Sequence, residues 1–359
     1  MIPTPGPDPI EPAVLRRLVE AMPKAELHLH LDGSLRVETA LALAASRGVD
    51  APRTYGGMFG ALVGPDRMAS QADLLTRFNL PIALLQDAEA LARVTTELVE
   101  AKAADNVRYL EIRWGPALHT ARGLSLDAGI GAVCRAAAAA GARTGTTVRL
   151  ICTALRSHEP TANVRLAEAA ARFRDDGLVG WDLAGPEAAW PDPLVFADAF
   201  AAARSGGLRI TLHAGEWGGA TQVRRALALD PERIAHGAAT IDDPVLMAEL
   251  TARGVTLDLC PTSNVQAGIV ESVALHPLAR LHRAGVPVSL STDDSTVSDI
   301  ALSEEYRRAV EENGLRLPEL WAIDRHALAA AFADAGTIAR LRAGFVEWAA
   351  LLPELSGTG

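Results

Sequence analysis

The sequence is short of lysine, of positive charge and of long apolar runs. Only Lys24 and Lys102 are lysines among its 34 basic residues, and 44 acidic residues leave a formal net charge of -10. This balance argues against a basic surface for nucleic acid or for an anionic membrane. No uninterrupted apolar stretch reaches the roughly 18 residues of a transmembrane helix, so none is predicted.

Cysteine is also scarce, because Cys134, Cys152 and Cys260 are the only three and lie far apart. This spacing fits neither a disulfide framework nor a zinc knuckle, and we expect reduced thiols in a cytoplasmic protein. The proline-rich segment 1–12 lacks the basic and apolar parts of a signal peptide and is predicted to be an N-terminal tail. Residues 356–359 are predicted to be a disordered C-terminal tail.

The hydrophobic pattern predicts a single α/β domain over residues 1–359. Short apolar segments of strand type recur along the chain, alternating with longer patterns typical of helices. Most of these segments are apolar throughout, as parallel strands buried on both faces are. Eight strand–helix units of this kind favour a closed (β/α)8 TIM barrel over an open sheet. The predicted strands are Ala25–Leu31, Tyr109–Trp114, Val148–Thr153, Val179–Leu183, Arg209–His213, Arg233–His236, Thr256–Cys260 and Pro287–Thr292.

The connection between the first two predicted strands is the longest departure from this pattern. Residues 36–106 are too many for one crossover, and they include the glycine-rich stretch Tyr55–Gly64. We therefore expect extra helices after strand one that form a lid over the barrel mouth.

Histidine and carboxylate side chains cluster at the carboxyl ends of the predicted strands, where barrel enzymes hold their active sites. His28 and His30 are two apart on strand one and point the same way, while His213 ends strand five and Asp293 ends strand eight. An isolated His-x-His pair fits a hydrogen-bonded pair in the core as well as it fits a pair of metal ligands. Four buried ionisable groups without a metal are costly, however, so this set predicts a metal site.

Three imidazoles and one carboxylate suit Zn²⁺ with a water in an open position. Ligand type alone also admits iron, manganese or cobalt. Many two-metal barrel hydrolases need a carbamylated lysine on strand four. Lys24 begins strand one and Lys102 lies in a helical segment, and strand four has no histidine either. One metal per chain is therefore predicted.

Three further side chains are predicted to act on the substrate. Glu216, three residues after His213, is either a solvated loop carboxylate or, beside a metal ligand, a proton shuttle. His236 and Asp294 end strands six and eight. They are candidates to accept a proton from the attacking hydroxide, to orient it, or to stabilise developing negative charge.

These motifs together resemble the adenosine deaminase family of the amidohydrolase superfamily. They occur in that family's order and span most of the chain. The matching segments are Pro23–Gly33, Asp182–Gly185, His213–Glu216, Arg233–Gly237, Cys260–Asn264 and Ser291–Asp294.

The resemblance implies a role for each residue. His28, His30, His213 and Asp293 match the zinc ligands. Glu216 matches the acid that protonates the purine ring nitrogen, and His236 and Asp294 match the residues that position the hydroxide. Gly185 matches a backbone amide that contacts the base, and Asp32 matches the residue that binds a ribose hydroxyl. The implied reaction is hydroxide attack on the amino-bearing purine carbon with loss of ammonia, and it needs no organic cofactor.

Other residues have weaker assignments. Phe59 and Leu62 are expected to form the apolar wall of the substrate pocket. Phe78 is a third candidate for this wall, but a place in the packed core fits it at least as well. Ser263 and Asn264 are expected to hold the turn after strand seven, and Cys260 to be a small buried hydrophobe. Surface or capping positions are expected for His119, His158, His276, His282 and His326.

Three hypotheses for the function follow. The first is deamination of adenosine and 2′-deoxyadenosine, indicated by Asp32. The second keeps the chemistry but acts on free adenine or a larger, 5′-substituted adenine nucleoside. It is motivated by departures from the family pattern at Trp114–Pro116, Pro186, Ala235 and Ser295. Adenosine monophosphate is disfavoured because no cationic cluster lies near the strand ends, although Arg156 follows strand three and weighs against this exclusion. The third is a non-catalytic binding protein.

Overall fold

The chain folds into a closed barrel of eight parallel strands surrounded by helices. The structure is a computed structural model and describes residues 10–352 and Leu355. Each strand pairs in parallel with the next one along the chain, so the strand order is β1 to β8. The strands are β1 Lys24–His30, β2 Val107–Trp114, β3 Thr147–Leu155, β4 Leu178–Ala184, β5 Arg209–His213, β6 Arg233–Ala235, β7 Thr256–Leu259 and β8 Val288–Leu290.

Backbone hydrogen bonds between β1 and the residues just after β8 close the barrel. The amide of His30 donates to the carbonyl of Asp293 at 2.7 Å, and the amide of Asp293 donates to the carbonyl of His28 at 3.0 Å. The predicted (β/α)8 TIM barrel is therefore confirmed, and the closing hydrogen bonds involve residues of the predicted metal site.

Helices connect and cover the strands. The long helix Leu126–Thr144 shows why the sequence folds locally as it does: Ser125 accepts from the amide of Ala128, and Gly145 ends the helix with φ 76°. The α-helices are α1 Pro12–Ala21, α2 Val37–Arg47, α3 Tyr55–Leu62, α4 Gln71–Thr76, α5 Asn79–Leu84, α6 Ala88–Ala104, α7 Leu126–Thr144, α8 Pro160–Ala171, α9 Ala197–Ser205, α10 Gly219–Leu227, α11 Pro244–Arg253, α12 Pro261–Gln266, α13 Leu278–Arg283, α14 Leu302–Glu311, α15 Leu317–Ala330 and α16 Ala335–Ala349. Short 3₁₀ helices cover Asp32–Ser34, Pro116–His119, Arg174–Asp176, Pro193–Phe196, Ala238–Asp242 and Val273–Leu275.

All eight predicted strands are present, with ends that differ by at most a few residues. The observed β6 and β8 end earlier than predicted, at Ala235 and Leu290. Two residues of the predicted site beyond these strand ends, His236 and Asp293, have left-handed backbones with φ of 68° and 65°. A left-handed residue ends the extended pairing of a strand and is unusual outside glycine, so these two positions carry strain that a functional site can use.

The segment after β1 forms five helices, α2 to α6, of which α6 packs against α7 and β2 as a barrel helix. The chain after α3 crosses to the loops that follow β7 and β8. The amide of Gly64 donates to Val297 O at 2.8 Å, and the amide of Met68 donates to Gln266 O at 2.7 Å. A small apolar cluster of Met68, Leu74, Ala267 and Val297 seals this contact apart from the main core. The extra helices therefore adjoin the mouth of the barrel.

The predicted tails lie mostly beyond the part of the chain that the structure describes. Residues 1–9 and 356–359 are outside it, while Pro12, the last residue of the predicted N-terminal tail, begins α1. Among the described residues, no helix combines the length and the apolar character needed to cross a membrane.

Candidate active site

Four side chains converge at the carboxyl ends of β1, β5 and β8. The Nε2 atoms of His28 and His30 lie 3.3 Å apart, and those of His30 and His213 lie 3.2 Å apart. Asp293 Oδ1 lies 3.1 Å from His28 Nε2 and 3.4 Å from His30 Nε2. The structure thus brings together the four predicted metal ligands into a group that can hold a metal ion.

Both β1 histidines of this cluster are neutral, as metal ligands must be. Burial lowers the pKa of His30 to about 3, and burial followed by the charge of Arg113 lowers the pKa of His28 well below its usual range. His213 Nδ1 lies 3.0 Å from Asp182 Oδ1, a contact that requires the ring proton on Nδ1. The lone pair of His213 Nε2 therefore faces the other ligands.

Asp182 supports His213 from behind the cluster. The sequence predicted no role for it and included it only in the matching segment Asp182–Gly185. Thr153 Oγ1 donates to Asp182 Oδ2 at 3.0 Å, and Arg113 Nη1 lies 3.5 Å away. Burial alone would raise the pKa of this carboxyl, but the neighbouring His213, which hydrogen-bonds to it, and the charge of Arg113 outweigh burial and hold the pKa well below its usual range. Asp182 is thus an ionised partner that orients His213, the arrangement that commonly backs a metal-binding histidine.

Asp293 and Asp294 both enter the site although they are adjacent. A regular strand would send them to opposite faces, but the left-handed backbone at Asp293 turns the chain between them. Ser263 Oγ donates to Asp293 Oδ2 at 2.7 Å, which leaves Oδ1 facing the histidines. Ser263 therefore does more than hold its own turn, the role expected from the sequence.

Asp294 and Asp32 are buried carboxyls, and one oxygen atom of each, Oδ1, lacks a hydrogen-bond partner among the described residues. Burial, and then the charges of Asp293 and Asp32, raise the pKa of Asp294 well above its usual range. Burial raises the pKa of Asp32 to about 6. A buried polar atom left unpaired in the free protein is suited to a hydrogen bond with a ligand.

Gly33 lies against Asp294 so closely that no side chain fits between them. A Cβ built on Gly33 would stand 1.7 Å from Asp294 Oδ1. We expect Gly33→Ala to displace the Asp294 carboxyl and to lower kcat/KM by roughly 10²-fold, the typical result of misplacing a catalytic group by about 1 Å.

The matched control for that variant is Gly60→Ala on α3, where an added Cβ would meet nothing within 4 Å. Steady-state kinetics, metal content and Tm of both variants are measured together. A Gly33→Ala protein with bound metal and full activity would show that the position of Asp294 is unimportant.

Glu216 lies in the turn after β5, beside the cluster. Its Oε2 is 3.8 Å from His236 Nε2, and His236 Nε2 is in turn 3.8 Å from Asp293 Oδ2. Burial, followed by the charge of Asp293, raises the pKa of Glu216 to about 8. The side chain is thus a protonated acid near neutral pH, and the alternative of an ordinary solvated loop carboxylate does not fit its surroundings.

Glu187 holds the turn that carries Glu216, and the sequence reasoning missed it. Its Oε1 accepts from the amide of Gly215 at 2.8 Å. Its Oε2 accepts from the amides of Trp217 and Gly218 at 2.9 and 2.8 Å. Three backbone donors on either side of Glu216 therefore converge on one buried carboxylate.

We expect Glu187→Gln to lower kcat by up to roughly 10²-fold with little change in KM, because a misplaced acid costs rate more than binding. The amide NH₂ would confront backbone N–H groups and release part of the turn. The exposed Glu159→Gln serves as the control. Unchanged kcat in a folded Glu187→Gln protein would contradict this anchoring role.

The residues predicted to contact the substrate lie in different surroundings and do not form one cluster as the metal ligands do. Gly185 follows β4 with φ 105°, a backbone that favours glycine. Phe59 is half-buried and lines a cavity of about 240 Å³ together with Ser34, Lys102 and Ser295. Leu62 is buried in the main core. The pocket-wall assignments of Phe59 and Leu62 therefore remain predictions.

The lysines lie where a bridging ligand cannot form. Lys102 Nζ is 2.9 Å from Glu26 Oε2 and donates to Thr292 Oγ1 at 3.0 Å. Lys24 Nζ donates to the carbonyls of Met22 and Asp105. Neither side chain belongs to β4, consistent with a site for one metal.

Two of the histidines expected at the surface are buried. His119 is 1% and His276 is 2% exposed, so neither lies at the surface, although His276 does occupy a capping position because its Nδ1 accepts from the first amide of α13. His276 is buried because Nε2 reaches Asn264 Oδ1 at 3.1 Å and Nδ1 accepts from the amide of Leu278 at 3.2 Å. His119 ends the 3₁₀ helix after β2. His158, His282 and His326 are half-buried, and Cys260 is fully buried as expected.

A site of this composition at this end of a (β/α)8 barrel defines a metal-dependent hydrolase. A family model described as adenosine deaminase matches residues 23–348. The chain is 35% identical over 314 residues to an adenosine deaminase of Enterococcus faecalis, covering 88% of this chain and 93% of the relative. It is 39% identical over 336 residues to one of Mycobacterium ulcerans, covering 88% and 91%. The chain therefore belongs to the adenosine deaminase family, as the sequence motifs predicted.

Solved structures show the same fold with related chemistry. An adenine deaminase from Arthrobacter aurescens superposes with a TM-score of 0.85 at 28% identity, covering 91% of this chain and 99% of that one. An amidohydrolase from Burkholderia ambifaria with bound Zn gives 0.85 at 26%, covering 93% and 92%. An Arabidopsis N6-mAMP deaminase gives 0.81 at 30%, covering 92% and 99%. The prediction of a hydrolytic deaminase is confirmed, and the non-catalytic alternative finds no support.

Proposed function

We propose that this chain deaminates adenosine and 2′-deoxyadenosine hydrolytically, giving inosine or 2′-deoxyinosine and ammonia. The observation that carries the proposal is the set of acids around the metal cluster. Glu216 and Asp294 both have raised pKa values and are hydrogen-bond donors near neutral pH. An adenine ring offers acceptor nitrogens on both sides of its amino-bearing carbon. Two protonated carboxyls match those two acceptors.

The proposed resident metal is one Zn²⁺ per chain, held by His28, His30, His213 and Asp293. Donor atoms that bind one zinc ion at about 2.0–2.2 Å stand roughly 3 to 3.6 Å from their neighbours, and four protein ligands would leave a further position for water. The contacts among these four side chains are 3.1 to 3.4 Å long, so the residues fit the ion. Bound zinc supplies hydroxide at neutral pH by lowering the pKa of water.

The protein's own residues then have distinct proposed roles. Glu216 donates its proton to the purine ring nitrogen beside the reacting carbon, which makes that carbon more electrophilic. Asp294 donates to the imidazole side of the base and fixes its orientation. His236 faces the attacking oxygen from the side of Glu216. The backbone amide of Gly185 is proposed to contact the base, and Phe59 and Leu62 to form the apolar wall.

Asp32 supports a nucleoside over free adenine. Its buried Oδ1 has no hydrogen-bond partner among the described residues and can accept from a hydroxyl, which a sugar supplies and adenine does not. We expect Asp32→Asn to lower kcat/KM for adenosine by roughly 10–100-fold, the effect of losing one charge-assisted hydrogen bond of about 1.5–3 kcal/mol. Activity on free adenine should hardly change.

The experiment compares adenosine, 2′-deoxyadenosine and adenine with the wild type and Asp32→Asn. An equal loss of kcat/KM for the nucleosides and for adenine would mean that Asp32 maintains the structure of the site and does not contact the sugar. No loss on adenosine would refute the sugar contact. A wild type that prefers adenine would favour the second hypothesis.

Two cations near the mouth, Arg156 and Arg77, are already engaged, which weighs against a phosphate contact at either of them. Arg156 Nη2 donates to His213 O at 2.9 Å and Nη1 donates to Trp190 O at 3.0 Å. Arg77 donates to Gly60 O at 2.8 Å. These guanidiniums hold backbone carbonyls and are not available for a phosphate without breaking those bonds. Arg156, the cation that follows β3, therefore has a structural role.

A specific observation favours a second candidate, a 5′-substituted adenine nucleoside. The cavity of about 240 Å³ lined by Phe59 also includes Ser34, two residues beyond Asp32, and the exposed Arg36. A substituent on the sugar held by Asp32 could enter it. A kcat/KM higher for 5′-substituted adenosines than for adenosine would establish this substrate class.

We also propose a cytoplasmic location. Its support is that Cys134, Cys152 and Cys260 are all free and buried. Burial raises the pKa of Cys134 to about 12, so this thiol stays protonated and unreactive. Cell fractionation with an antibody to the chain tests the proposal, and recovery from a secreted fraction would contradict it.

A further inference from the structure

A chain of hydrogen bonds runs from the backbone beside α13 to the ring of His236. It starts at the amide of Leu278, which donates to His276 Nδ1 at 3.2 Å. His276 Nε2 lies 3.1 Å from Asn264 Oδ1, and Asn264 Nδ2 lies 3.2 Å from His236 Nδ1. The other ring nitrogen of His236 faces the reaction centre. The sequence reasoning gave Asn264 and His276 no part in this site.

The direction of every bond in this chain follows from its first member. A backbone N–H can only donate, so Nδ1 of a neutral His276 accepts and its proton sits on Nε2. That proton is donated to Asn264 Oδ1, which settles which end of the amide points each way. Asn264 Nδ2 must then donate to Nδ1 of His236. A neutral His236 therefore carries its proton on Nε2.

Burial and the opposite side of the ring agree with this assignment. His236, Asn264 and His276 are at most 2% exposed, so water does not compete for these bonds. Burial lowers the pKa of His276 to about 3, and a ring whose Nδ1 accepts a hydrogen bond, as that of His236 does from Asn264, is not doubly protonated. Nε2 of His236 lies 3.8 Å from Oδ2 of the carboxylate Asp293, an acceptor, and 3.8 Å from Oε2 of the Glu216 carboxyl. Such surroundings suit a donor at Nε2.

We propose that Asn264 and His276 are positioning residues that hold His236 as the Nε2–H tautomer, so that this ring donates a hydrogen bond to the attacking oxygen. Three roles were open for His236: accepting a proton, orienting the oxygen, or stabilising its charge. A ring nitrogen that already carries its proton cannot accept another. The inference rests on the proposed function for the identity of that oxygen, but the tautomer itself does not depend on any substrate.

The direct test is ¹⁵N NMR of the zinc-loaded, histidine-labelled protein, with His236 assigned by its absence in His236→Gln. We expect a pyridine-type Nδ1 and a pyrrole-type Nε2 for His236. The reverse pattern, or a doubly protonated ring, would overturn the proposal. This readout stands even if none of the tested adenine compounds is a substrate, so its failure and the failure of the proposed function are distinguishable.

The decisive variant is Asn264→Asp, which keeps the shape of the side chain but replaces the donor with an acceptor. The introduced carboxylate would accept from His276 and also from His236, which moves the His236 proton to Nδ1. We expect kcat to fall by roughly 10²-fold, as when one preorganised donor is removed, with KM and zinc content unchanged. A folded, zinc-loaded Asn264→Asp protein with wild-type kcat would overturn the proposal.

A pair of His276 variants keeps the test open if Asn264→Asp fails to fold. His276→Gln retains an N–H donor for Asn264 and should keep nearly full activity, whereas His276→Phe lacks it and should lose kcat and the single tautomer. Equal losses in both would assign His276 to packing alone and contradict the proposal.

Asn313→Asp is the matched control. Asn313 Nδ2 donates to the carbonyls of Val273 and His276, so this change loosens the same loop without entering the hydrogen-bond chain. We expect a lower Tm with an unchanged His236 tautomer. A tautomer change in this variant would mean that any loosening of the loop is sufficient, which would remove the specific role of Asn264.

Discussion

Replacing Glu216 with glutamine is expected to lower kcat for adenosine by roughly 10²–10⁴-fold, the usual contribution of a positioned general acid. The glutamine amide can still donate a hydrogen bond to the ring nitrogen but cannot transfer a proton to it. Binding should therefore suffer much less than turnover. Steady-state kinetics of the zinc-loaded variant, with zinc content measured in the same samples, checks this result.

Asp324→Asn is the matched control for Glu216→Gln. Asp324 is also a buried carboxyl, and burial raises its pKa to about 7. It accepts from the amide of Ala25 at 2.9 Å and from Tyr306 at 2.8 Å, away from the metal cluster. We expect its amide variant to change stability and leave kcat intact. Full activity in Glu216→Gln would refute the proton-transfer role.

Activity should also depend on pH through the protonation of Glu216. This side chain acts in its protonated form, so kcat/KM must fall as pH rises through its pKa, which is about 8 in the free protein. A cation in the neighbouring cluster lowers that value, so the alkaline limb is expected at or below pH 8. The limb should vanish in Glu216→Gln, since glutamine does not titrate there.

Removing the metal should reduce deamination to background, and adding Zn²⁺ should restore it. Contacts of 3.1 to 3.4 Å join the three imidazoles and Asp293. A bound cation would accept the lone pairs of these nitrogens and balance the charge of Asp293. Zinc at about 100 times its Kd should stabilise the fold by about 2.7 kcal/mol, which appears as a higher Tm.

His30→Ala tests the same point without a chelator. The variant should bind no zinc under conditions that load the wild type, show no rise in Tm on zinc addition, and be inactive. His158→Ala, a half-buried histidine away from the cluster, is the control and should behave as the wild type. Full activity in a sample shown to be free of metal would contradict the metal site.

Much of the fold was predictable because its signal is local. A buried parallel strand such as β5 is a short apolar segment, and its predicted and observed ends coincide at Arg209 and His213. The metal ligands were predictable for a related reason. His28 and His30 alternate along one strand, so a period of two places both rings on the same side.

The groups that support the ligands were not predictable, because their partners are distant in the sequence. Asp182 is 31 residues from His213, and Glu187 is 28 residues from Gly215. No spacing pattern links such pairs before the barrel brings their strands together. The left-handed backbone at Asp293 was equally hidden, since an Asp-Asp pair at a strand end gives no sign of it.

The burial of His276 could not be predicted from the sequence either. Histidines outside strand ends are usually at the surface, and nothing near His276 in the sequence indicates a buried partner. Its partners are Asn264, in α12, and the amide of Leu278. Only the packing of α12 against the following 3₁₀ helix places that imidazole within reach of the active site.

The most direct test of the central claim is ammonia release by the purified, zinc-loaded chain. The panel contains adenosine, 2′-deoxyadenosine, adenine, adenosine monophosphate and 5′-substituted adenosines. We expect the highest kcat/KM for adenosine and 2′-deoxyadenosine, with stoichiometric formation of inosine or 2′-deoxyinosine. No ammonia from either nucleoside, in protein shown to contain zinc, would contradict the proposed function.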